Sequence, residues 1–400
     1  MASGYLVVPE RTGKTMRVVL AGGGVIALLT ALECVSAGHE VVLADQADIP
    51  FSGATSFDRH RVLRAVHPGD PAATAAAVGA HHAWLELEHS LSTSFYEQVG
   101  ALTAMPPDEA AAARDLVAAA GSKAEVLGAD ELAGEFPHAG FVPGTGAVFE
   151  AQAGVLLADR VLTACATRLR WHANAELHPH RKVIGIDADR AEVRLADGAI
   201  LRGDAVLVAA GPWSRELLAP ALSRELVLHR QTMLYCDVPP ADAAAWAATP
   251  AITSLGSAGG AWLVPPVAGT PLKLSAASAC RVVDEIGGAT VPSWWREHLI
   301  DTFAALIPGF RRDWLVDTRD CHYLARRSTL GPMLAVLGDR VLSYAACGGS
   351  SFKFAPLIAR SLAARLTGAD PVRTGLEPLD RPLVRAGGAH PIRPALRGVS

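Results

Sequence analysis

The chain has 400 residues, 50% of them apolar, and a formal net charge of −4. This length provides a core large enough for two or three domains. Because the charge balance is slightly acidic and no Lys/Arg stripe occurs, nucleic acid is excluded as the main partner. The longest apolar stretch carries Glu33 and three glycines, so no membrane span is expected.

The sequence was also searched for a secretory signal, for paired cysteines and for a metal-binding cluster. Residues 1–15 lack the basic-then-apolar pattern of a secretory signal. The cysteines form no CxxC pair, which indicates a cytoplasmic protein with reduced thiols. His82, Glu86 and His89 share one face of a predicted helix, where an exposed polar face is favoured over a metal triad. We therefore expect no metal.

The first predicted elements are a strand, a turn, a helix and a second strand. Residues 18–20 and 41–43 are short apolar runs, and the segment between them has helical apolar spacing up to residue 37. Gly22, Gly24 and Ala27 fit the G-x-G-x-x-G/A pattern of dinucleotide-binding proteins. The first glycine permits the tight turn, and the second lets a pyrophosphate approach the backbone. The alanine keeps the helix close to the strand.

Both ends of this unit favour an adenine dinucleotide. The helix begins near Val25, where unpaired N–H groups and the positive end of the helix dipole attract phosphates. Asp45 ends the second strand, and we expect it to accept hydrogen bonds from the ribose hydroxyls, while Gln46 is a further expected cofactor contact. This motif does not distinguish FAD from NAD.

The middle of the chain continues with further helices and strands. A loop at residues 49–61 is rich in small and hydroxyl residues, and its Thr55 and Ser56 are expected to contact the cofactor. Helical spacing predicts helices at residues 71–90, 107–120 and from about 158 to 169. A β-meander is predicted at residues 182–209, and Val183 near its start is another expected cofactor contact.

A second glycine junction follows the meander. An apolar strand at residues 206–210 runs into Gly211 and a new helix, and we expect Gly211 and Trp213 to lie beside the cofactor. Residues 225–320 then alternate in strand fashion, which predicts an antiparallel sheet with helices that holds a substrate.

The third junction decides the cofactor. A strand at residues 338–344 precedes a helix at about residues 356–366. The turn between them supplies the expected flavin contacts Gly348, Gly349, Ser350 and Ser351. Because a single nucleotide unit needs only the first junction, three such junctions predict FAD extended through one discontinuous domain. Beyond residue 378 we expect an irregular tail.

The predicted fold class is α/β, with a Rossmann-like FAD-binding domain and an α+β substrate domain built on an antiparallel sheet. The FAD-binding domain is expected to comprise residues 16–90, 146–224 and 321–376. Residues 91–145 and 225–320 are assigned to the substrate domain. Residues 1–15 and 377–400 are assigned to tails.

With these motifs in place, the chain resembles the D-amino-acid-oxidase-like family of FAD enzymes. Within it, the chain is most similar to the branch of monomeric sarcosine oxidase and N-methyl-tryptophan oxidase. The resemblance covers about residues 16–371 and is carried by the opening fingerprint and by residues 61–64, 272–274 and 348–354. It implies a monomer that acts on a small-molecule amine or amino acid and on oxygen.

The resemblance implies four catalytic residues. Lys273 matches a lysine that lies over the flavin near N5 and promotes reaction with oxygen, since a fixed cation stabilises the anion formed from oxygen. Arg64 and Lys353 match residues that hold the substrate carboxylate. Tyr323 follows Cys321 by two residues, as in the same branch.

Two further residues carry flavin roles in the family. Arg61 matches an arginine near the flavin ring, and Lys353 also counts as a cofactor contact. Cys321 lies where the branch attaches FAD through a cysteine thioether to the 8α carbon. The chain departs from the family at Ser350 and near Ala277, where histidines are common, and this weakens a prediction of sarcosine itself.

The predicted reaction is hydride transfer from a secondary or cyclic amine, amino acid or imino acid to flavin N5, which gives an imine and, after reoxidation by oxygen, hydrogen peroxide. One alternative is a dehydrogenase of the same fold that uses a quinone or a carrier protein. An NAD-dependent dehydrogenase and a non-catalytic flavin-binding protein are the other two. The sequence does not name the substrate, its stereochemistry or the pathway.

Overall fold

The computed structural model describes residues 14–256, 260–288, 290–370 and 372–384. Apolar spacing and Gly or Pro boundaries divide these residues into short helices and strands. The helices are α1 (Val25–Ser36), α2 (Pro71–Leu91), α3 (Pro107–Ala119), α4 (Ala129–Glu135), α5 (Ala158–Arg170), α6 (Ser214–Leu217), α7 (Pro220–Ser223), α8 (Ala243–Ala247), α9 (Ser293–Leu306), α10 (Ala355–Thr367) and α11 (Glu377–Asp380).

The strands of the described chain lie in four sheets. They are β1 (Arg17–Ala21), β2 (Glu40–Ala44), β3 (Arg61–Leu63), β4 (Tyr96–Glu97), β5 (Ala101–Met105), β6 (Glu125–Leu127), β7 (Gly146–Glu150), β8 (Gly154–Leu156), β9 (Ala175–His178), β10 (Val183–Asp187), β11 (Glu192–Leu195), β12 (Ile200–Arg202), β13 (Ala205–Val208), β14 (Leu226–Cys236), β15 (Ala251–Leu255), β16 (Ala261–Val264), β17 (Leu272–Ala276), β18 (Cys280–Val283), β19 (Leu315–Arg326), β20 (Pro332–Gly338), β21 (Val341–Cys347) and β22 (Leu383–Val384).

A seven-stranded sheet has the order β22-β20-β21-β13-β1-β2-β9. The central pairs β13–β1, β1–β2 and β13–β21 are parallel. Their strands are apolar on both faces, because α1, α5 and α10 pack as one layer on one side and the smaller β10-β11-β12 sheet covers part of the other. The predicted order of strand, glycine turn, helix and strand at β1, α1 and β2 is confirmed.

A nine-stranded sheet forms the second layer. Its order is β18-β14-β17-β16-β15-β5-β7-β6, and β19 pairs with β14. Side chains alternate between its two faces. Leu234 of β14, Leu263 of β16 and Leu274 of β17 lie in a core that includes Phe303 of α9. The opposite face carries the neighbouring, more polar residues of the same strands and points toward the seven-stranded sheet.

The α/β fold class is confirmed, and the helices predicted at residues 71–90 and 107–120 occur as α2 and α3. The predicted meander is divided, because β10, β11 and β12 form their own sheet while β13 joins the parallel one. Within the described residues, the expected tail contains α11 and β22, which pairs with β20. Residues 385–400 of that tail lie outside the described residues.

The predicted domain boundaries stay a prediction. The strand β7, assigned by sequence to the FAD-binding part, pairs with strands of the nine-stranded sheet. The strand β19 also pairs there, and the predicted boundary at residues 320 and 321 falls inside it. In the described part of the chain, no helix is long and apolar enough to cross a membrane. The same residues contain no group of three or more His, Cys, Asp or Glu able to hold a metal ion.

Candidate active site

A cavity of about 400 Å³ runs between the two large sheets and touches all three glycine junctions. Its lining extends from the end of β1 to β14, β16 and β19. The cofactor-binding residues predicted from sequence that line it are Gly22, Gly24, Val25, Asp45, Gln46, Thr55, Ser56, Arg61, Val183, Gly211, Trp213, Cys321, Gly349 and Ser351. The prediction of an extended cofactor site thus corresponds to one continuous cavity.

The first junction is held open by its glycines and two neighbouring side chains. Gly22 has a φ of +111°, and a Cβ there would lie 2.5 Å from the carbonyl oxygen of Ala209. The Gly23 N–H donates to Asp45 Oδ2 at 2.7 Å, and the Val25 N–H donates to Ser56 Oγ at 3.2 Å. The Oδ2 atom of Asp45 therefore helps to fix the turn. Burial raises the pKa of the Asp45 carboxyl. This cradle fits a pyrophosphate at the start of α1.

Replacing Gly22 with alanine is expected to weaken FAD binding by roughly ten- to a hundredfold. A non-glycine residue in a disfavoured backbone region costs about 1–3 kcal/mol, and here the methyl group also meets Ala209. The measurement is FAD affinity by fluorescence titration of the apoprotein, made in a Cys321→Ser background so that the predicted thioether does not form. Gly69→Ala is the matched control, because Gly69 also has a positive φ of +72° but no atom within 4 Å of the added carbon. Equal FAD affinities for the two variants would contradict this reading.

The other junctions pack closely against the cavity. Trp213 lies beside Phe51, with ring centroids 6.3 Å apart. A Cβ on Gly348 would lie 2.5 Å from the carbonyl carbon of Gly331, and one on Gly349 would lie 3.2 Å from the Tyr323 ring. Among the described residues, the predicted contacts Ala27, Gly348, Ser350 and Lys353 are not part of the cavity lining. Ala27 is fully buried in α1, which suits its expected packing role.

One end of the cavity is lined by side chains of the nine-stranded sheet. Gln231, Met233 and Trp262 lie there together with Cys321 and Tyr323. We call this region the ring end. The Gln231 amide is fixed, because it donates to Ser275 Oγ at 2.7 Å and to the Ala276 carbonyl at 3.0 Å.

Tyr323 and Cys321 are held by the same strands. The Tyr323 hydroxyl lies 3.3 Å from Cys280 Sγ, and its ring stacks on His229 with centroids 5.1 Å apart. Cys321 lies opposite Gln231 in the β14–β19 pairing. Burial raises the pKa of Cys321 to about 11, and Arg61 offsets part of that rise.

A buried charge cluster lies behind the ring end. Asp58 Oδ2 accepts from Lys273 Nζ at 2.5 Å and from Arg61 Nη1 at 2.7 Å, while Asp58 Oδ1 accepts from the Tyr235 hydroxyl at 2.5 Å. Only 3% of Asp58 and 1% of Lys273 is exposed. Burial favours the neutral acid, but the two cations and the hydrogen bonds hold the Asp58 pKa well below its usual range. Burial also lowers the pKa of Lys273 to about 8, although Asp58 opposes the change.

Asp58 was missed at the sequence level, although one signal pointed to it. A lysine in an apolar strand needs a nearby carboxylate. The loop at residues 49–61, which was expected to contact the cofactor, contains a single acid, Asp58. Together these two observations make Asp58 a candidate partner of Lys273, but only the alignment of the strands pairs the two residues.

His60, next to this cluster, makes stability depend on pH. It is fully buried, and its pKa is lowered to about 3 by burial and then by the charge of Lys273. Between pH 3 and the ordinary histidine value near 6.5, the unfolded chain binds the proton that the folded chain rejects. The free energy of unfolding therefore falls as pH falls through this window, by up to about 1.4 kcal/mol per unit.

We expect His60→Gln to remove this dependence. From pH 6.5 to 5, the wild type should lose about 1.5–2 kcal/mol more unfolding free energy than the variant. Urea unfolding at both pH values, with equal FAD concentrations, measures the difference. His89→Gln, at an exposed histidine of α2, is the control and should follow the wild type. Parallel losses in wild type and His60→Gln would show that His60 does not titrate as described.

The predicted carboxylate clamp lies apart from the cavity. Arg64 donates to the Val66 carbonyl and borders a separate small cavity next to Glu150. Lys353 Nζ lies 3.1 Å from His67 Nε2, and burial, with the charge of Arg64, lowers the Lys353 pKa to about 7. The structure brings Arg64 and Lys353 near each other, but neither belongs to the described lining of the large cavity, and the same holds for Lys273.

Comparison with known proteins agrees with this geometry. A peroxisomal sarcosine oxidase from Mus musculus is 23% identical over 220 residues, which cover 54% of this chain and 56% of that protein. A glycine oxidase from Pseudomonas aeruginosa is 32% identical over 222 residues, or 51% of this chain and 57% of that protein. The chain thus spans little more than half the length of the curated relatives it matches.

Solved structures share the fold over most of their length. A modified fructosyl peptide oxidase from Aspergillus nidulans superimposes with a TM-score of 0.74 at 19% identity, covering 92% of this chain and 93% of that one. NikD, described as an unusual amino acid oxidase essential for nikkomycin biosynthesis, gives a TM-score of 0.72 at 17% identity and covers 88% and 94%.

The family follows from the sequence as a whole. Residues 17–365 match the family described as DAO, FAD dependent oxidoreductase. FAD fits this cavity, because its lining joins the glycine turn at the start of α1, where phosphates would lie, to the ring end. The alternative of an NAD-dependent enzyme is therefore set aside, and the chain belongs to the DAO family of FAD-dependent oxidoreductases.

Proposed function

We propose that this protein is an FAD-dependent oxidase of an amine or amino acid, with a secondary or cyclic amine as substrate. The amine loses a hydride from carbon and a proton from nitrogen, which gives an imine. Oxygen takes up the two electrons and two protons and becomes hydrogen peroxide. Bound FAD supplies the two-electron acceptor between these half-reactions.

The observation that carries the proposal is the buried cation Lys273. It lies on the cavity-facing side of β17, next to Trp262, whose ring centroid is 5.6 Å from the ammonium nitrogen. A fixed positive charge in a site that excludes water stabilises the negative charge that develops when oxygen is reduced. Arg61, which lines the cavity itself, adds a second cation.

The ring end suits an amine with an apolar body. Trp262 and Tyr323 present aromatic rings, Met233 presents an adaptable thioether, and Gln231 is the fixed amide among them. Aromatic faces attract amine groups, and a single fixed amide provides orientation. The names of the relatives support this substrate class, since sarcosine, glycine and fructosyl peptides are amino compounds.

The carboxylate clamp of Arg64 and Lys353 stays a prediction. To reach a substrate in the large cavity, Arg64 would have to leave Val66 and the neighbourhood of Glu150. Lys353 would have to turn away from His67. The present arrangement of the two side chains favours an amine whose recognition depends mainly on the ring end.

A second candidate, a dehydrogenase of the same fold, is favoured by one observation. The ammonium of Lys273 is paired with Asp58, which reduces the positive charge available to oxygen. Such an enzyme would pass electrons to a quinone or a carrier protein instead.

The test is anaerobic mixing of the purified holoprotein with a panel of secondary, cyclic and primary amines and amino acids. Bleaching of the yellow absorbance by one class identifies the substrate class, and peroxide formed after admission of air identifies an oxidase. Bleaching followed by slow reoxidation and little peroxide would select the dehydrogenase. Failure of every amine to bleach the flavin would overturn both candidates.

A further inference from the structure

We infer that Asp58 is a positioning residue that sets the reduction potential of the bound flavin, by cancelling one of the two positive charges that Arg61 and Lys273 place at the ring end. Three donors converge on its carboxylate: the ammonium of Lys273, the guanidinium of Arg61 and the hydroxyl of Tyr235. Among the described residues, no other acid forms an ion pair with either cation.

The geometry shows how a buried carboxylate acts at a distance. Asp58 and Lys273 are not part of the described cavity lining, whereas Arg61 is. Asp58 therefore acts on the cavity through its ion pair with Arg61. The Nη2 of Arg61 also donates to the Thr55 carbonyl at 2.6 Å. With both ends of the guanidinium fixed, its charge has a constant position relative to the cavity.

If the Asp58 carboxylate served only to stabilise the fold, one cationic partner would be enough. One cation suffices to satisfy a buried carboxylate, and a second buried cation adds a desolvation cost of several kcal/mol. Two cations and one anion leave a net charge of +1 in the cluster. Because reduction adds negative charge to the flavin, each unit of positive charge nearby favours the reduced form.

This inference rests on the proposed placement of the flavin ring at the ring end, but not on any amine substrate. It is tested by the midpoint potential of the holoprotein and by its affinity for sulfite, an anion that flavins bind more tightly as nearby positive charge increases. Neither measurement needs a substrate. If the amine oxidase proposal fails, these measurements remain valid, so the two failures are distinguishable.

Four holoproteins form a charge series. Counting the ionised groups, the cluster charge is +1 in the wild type, 0 in Lys273→Met and +1 in the double variant. It is +2 in Asp58→Asn as long as Lys273 keeps its proton, and loss of Asp58 lowers the Lys273 pKa, so the double variant and Lys273→Met are the decisive pair. We expect the potential and the sulfite affinity to rise in the order Lys273→Met, then wild type and the double variant together, then Asp58→Asn. A tenfold shift toward reduced flavin for Asp58→Asn corresponds to about 30 mV for this two-electron couple.

Tyr235→Phe is the matched control, because it removes a hydrogen bond to Asp58 without changing any charge. It should change sulfite affinity much less than Asp58→Asn does. If Asp58→Asn does not retain FAD, the double variant compared with Lys273→Met measures the same charge step. Equal sulfite affinities and potentials for the double variant and Lys273→Met would overturn the inference. A Tyr235→Phe effect as large as the difference between those two proteins would overturn it as well.

Discussion

Lys273→Met is expected to slow reoxidation of the reduced holoprotein by oxygen by roughly 100- to 1000-fold, the usual effect of removing a preorganised group that stabilises developing charge. Methionine fills a similar volume in β17 without the ammonium. Asp58 keeps Arg61 and Tyr235 as partners, so the fold should persist. Stopped-flow absorbance after mixing reduced protein with oxygenated buffer measures the rate.

Anaerobic reduction by the substrate is the internal control. It should change much less than reoxidation, since the lysine is proposed to act in the oxygen half-reaction. Lys123→Met, at an exposed lysine far along the chain from the cluster, controls for the loss of a positive charge as such. A Lys273→Met protein that reoxidises at the wild-type rate would remove Lys273 from the proposed mechanism.

Cys321→Ser is expected to abolish covalent attachment of FAD. The prediction is a thioether between Cys321 and the flavin, and Cys321 lies on the lining of the ring end, as this bond requires. Acid precipitation should leave yellow colour in the wild-type pellet, in a peptide that contains Cys321. In the variant the colour should move entirely to the supernatant, because a serine hydroxyl does not replace the thiol in this reaction.

Cys347→Ser is the matched control, because Cys347 lines the same cavity and its thiol is also partly buried. This variant should keep its colour in the pellet. If colour is lost with Cys347→Ser and kept with Cys321→Ser, the attachment site is Cys347. If wild-type FAD washes out, the cofactor is held without a covalent bond.

The parts of the fold that depend on short stretches of chain were predictable. The first junction lies within residues 17–46, and its glycines, helix start and terminal acid are read from local spacing alone. The same holds for α2 and α3, because their apolar residues recur at helical spacing and a proline marks the start of each helix. Local rules are sufficient where a residue's role is set by its near neighbours.

The charge cluster depends on contacts between distant segments. Asp58 is separated from Tyr235 by 177 positions and from Lys273 by 215. No periodicity links such residues, and their pairing follows only once β14 and β17 are aligned over the loop that carries Asp58. The sequence showed that Lys273 was buried in an apolar strand, but not which anion compensated its charge.

The direction in which the Arg64 side chain points was also not predictable from the sequence. Arg64 matched a substrate-binding arginine by position, yet its guanidinium donates to the Val66 carbonyl, and the residue borders a separate cavity beside Glu150, 86 positions later. The placement of β7, and of the boundary inside β19, depends on distant residues in the same way. Their sequences are typical of strands, but pairing partners are set by the whole sheet rather than by either strand.

Along β14, β16 and β17, residues that line the ring end alternate with residues that pack in the core against α9. Substitutions on the two faces therefore have different effects. Substitutions at Gln231, Met233 or Trp262 alter the ring end, while the intervening leucines continue to hold α9 in place. A mutagenesis library restricted to one face of these strands therefore changes the ring end while leaving the leucine core against α9 intact. Substrate range and robustness evolve on opposite sides of the same strands, and descendants of such a protein can diverge in chemistry while their scaffold stays constant.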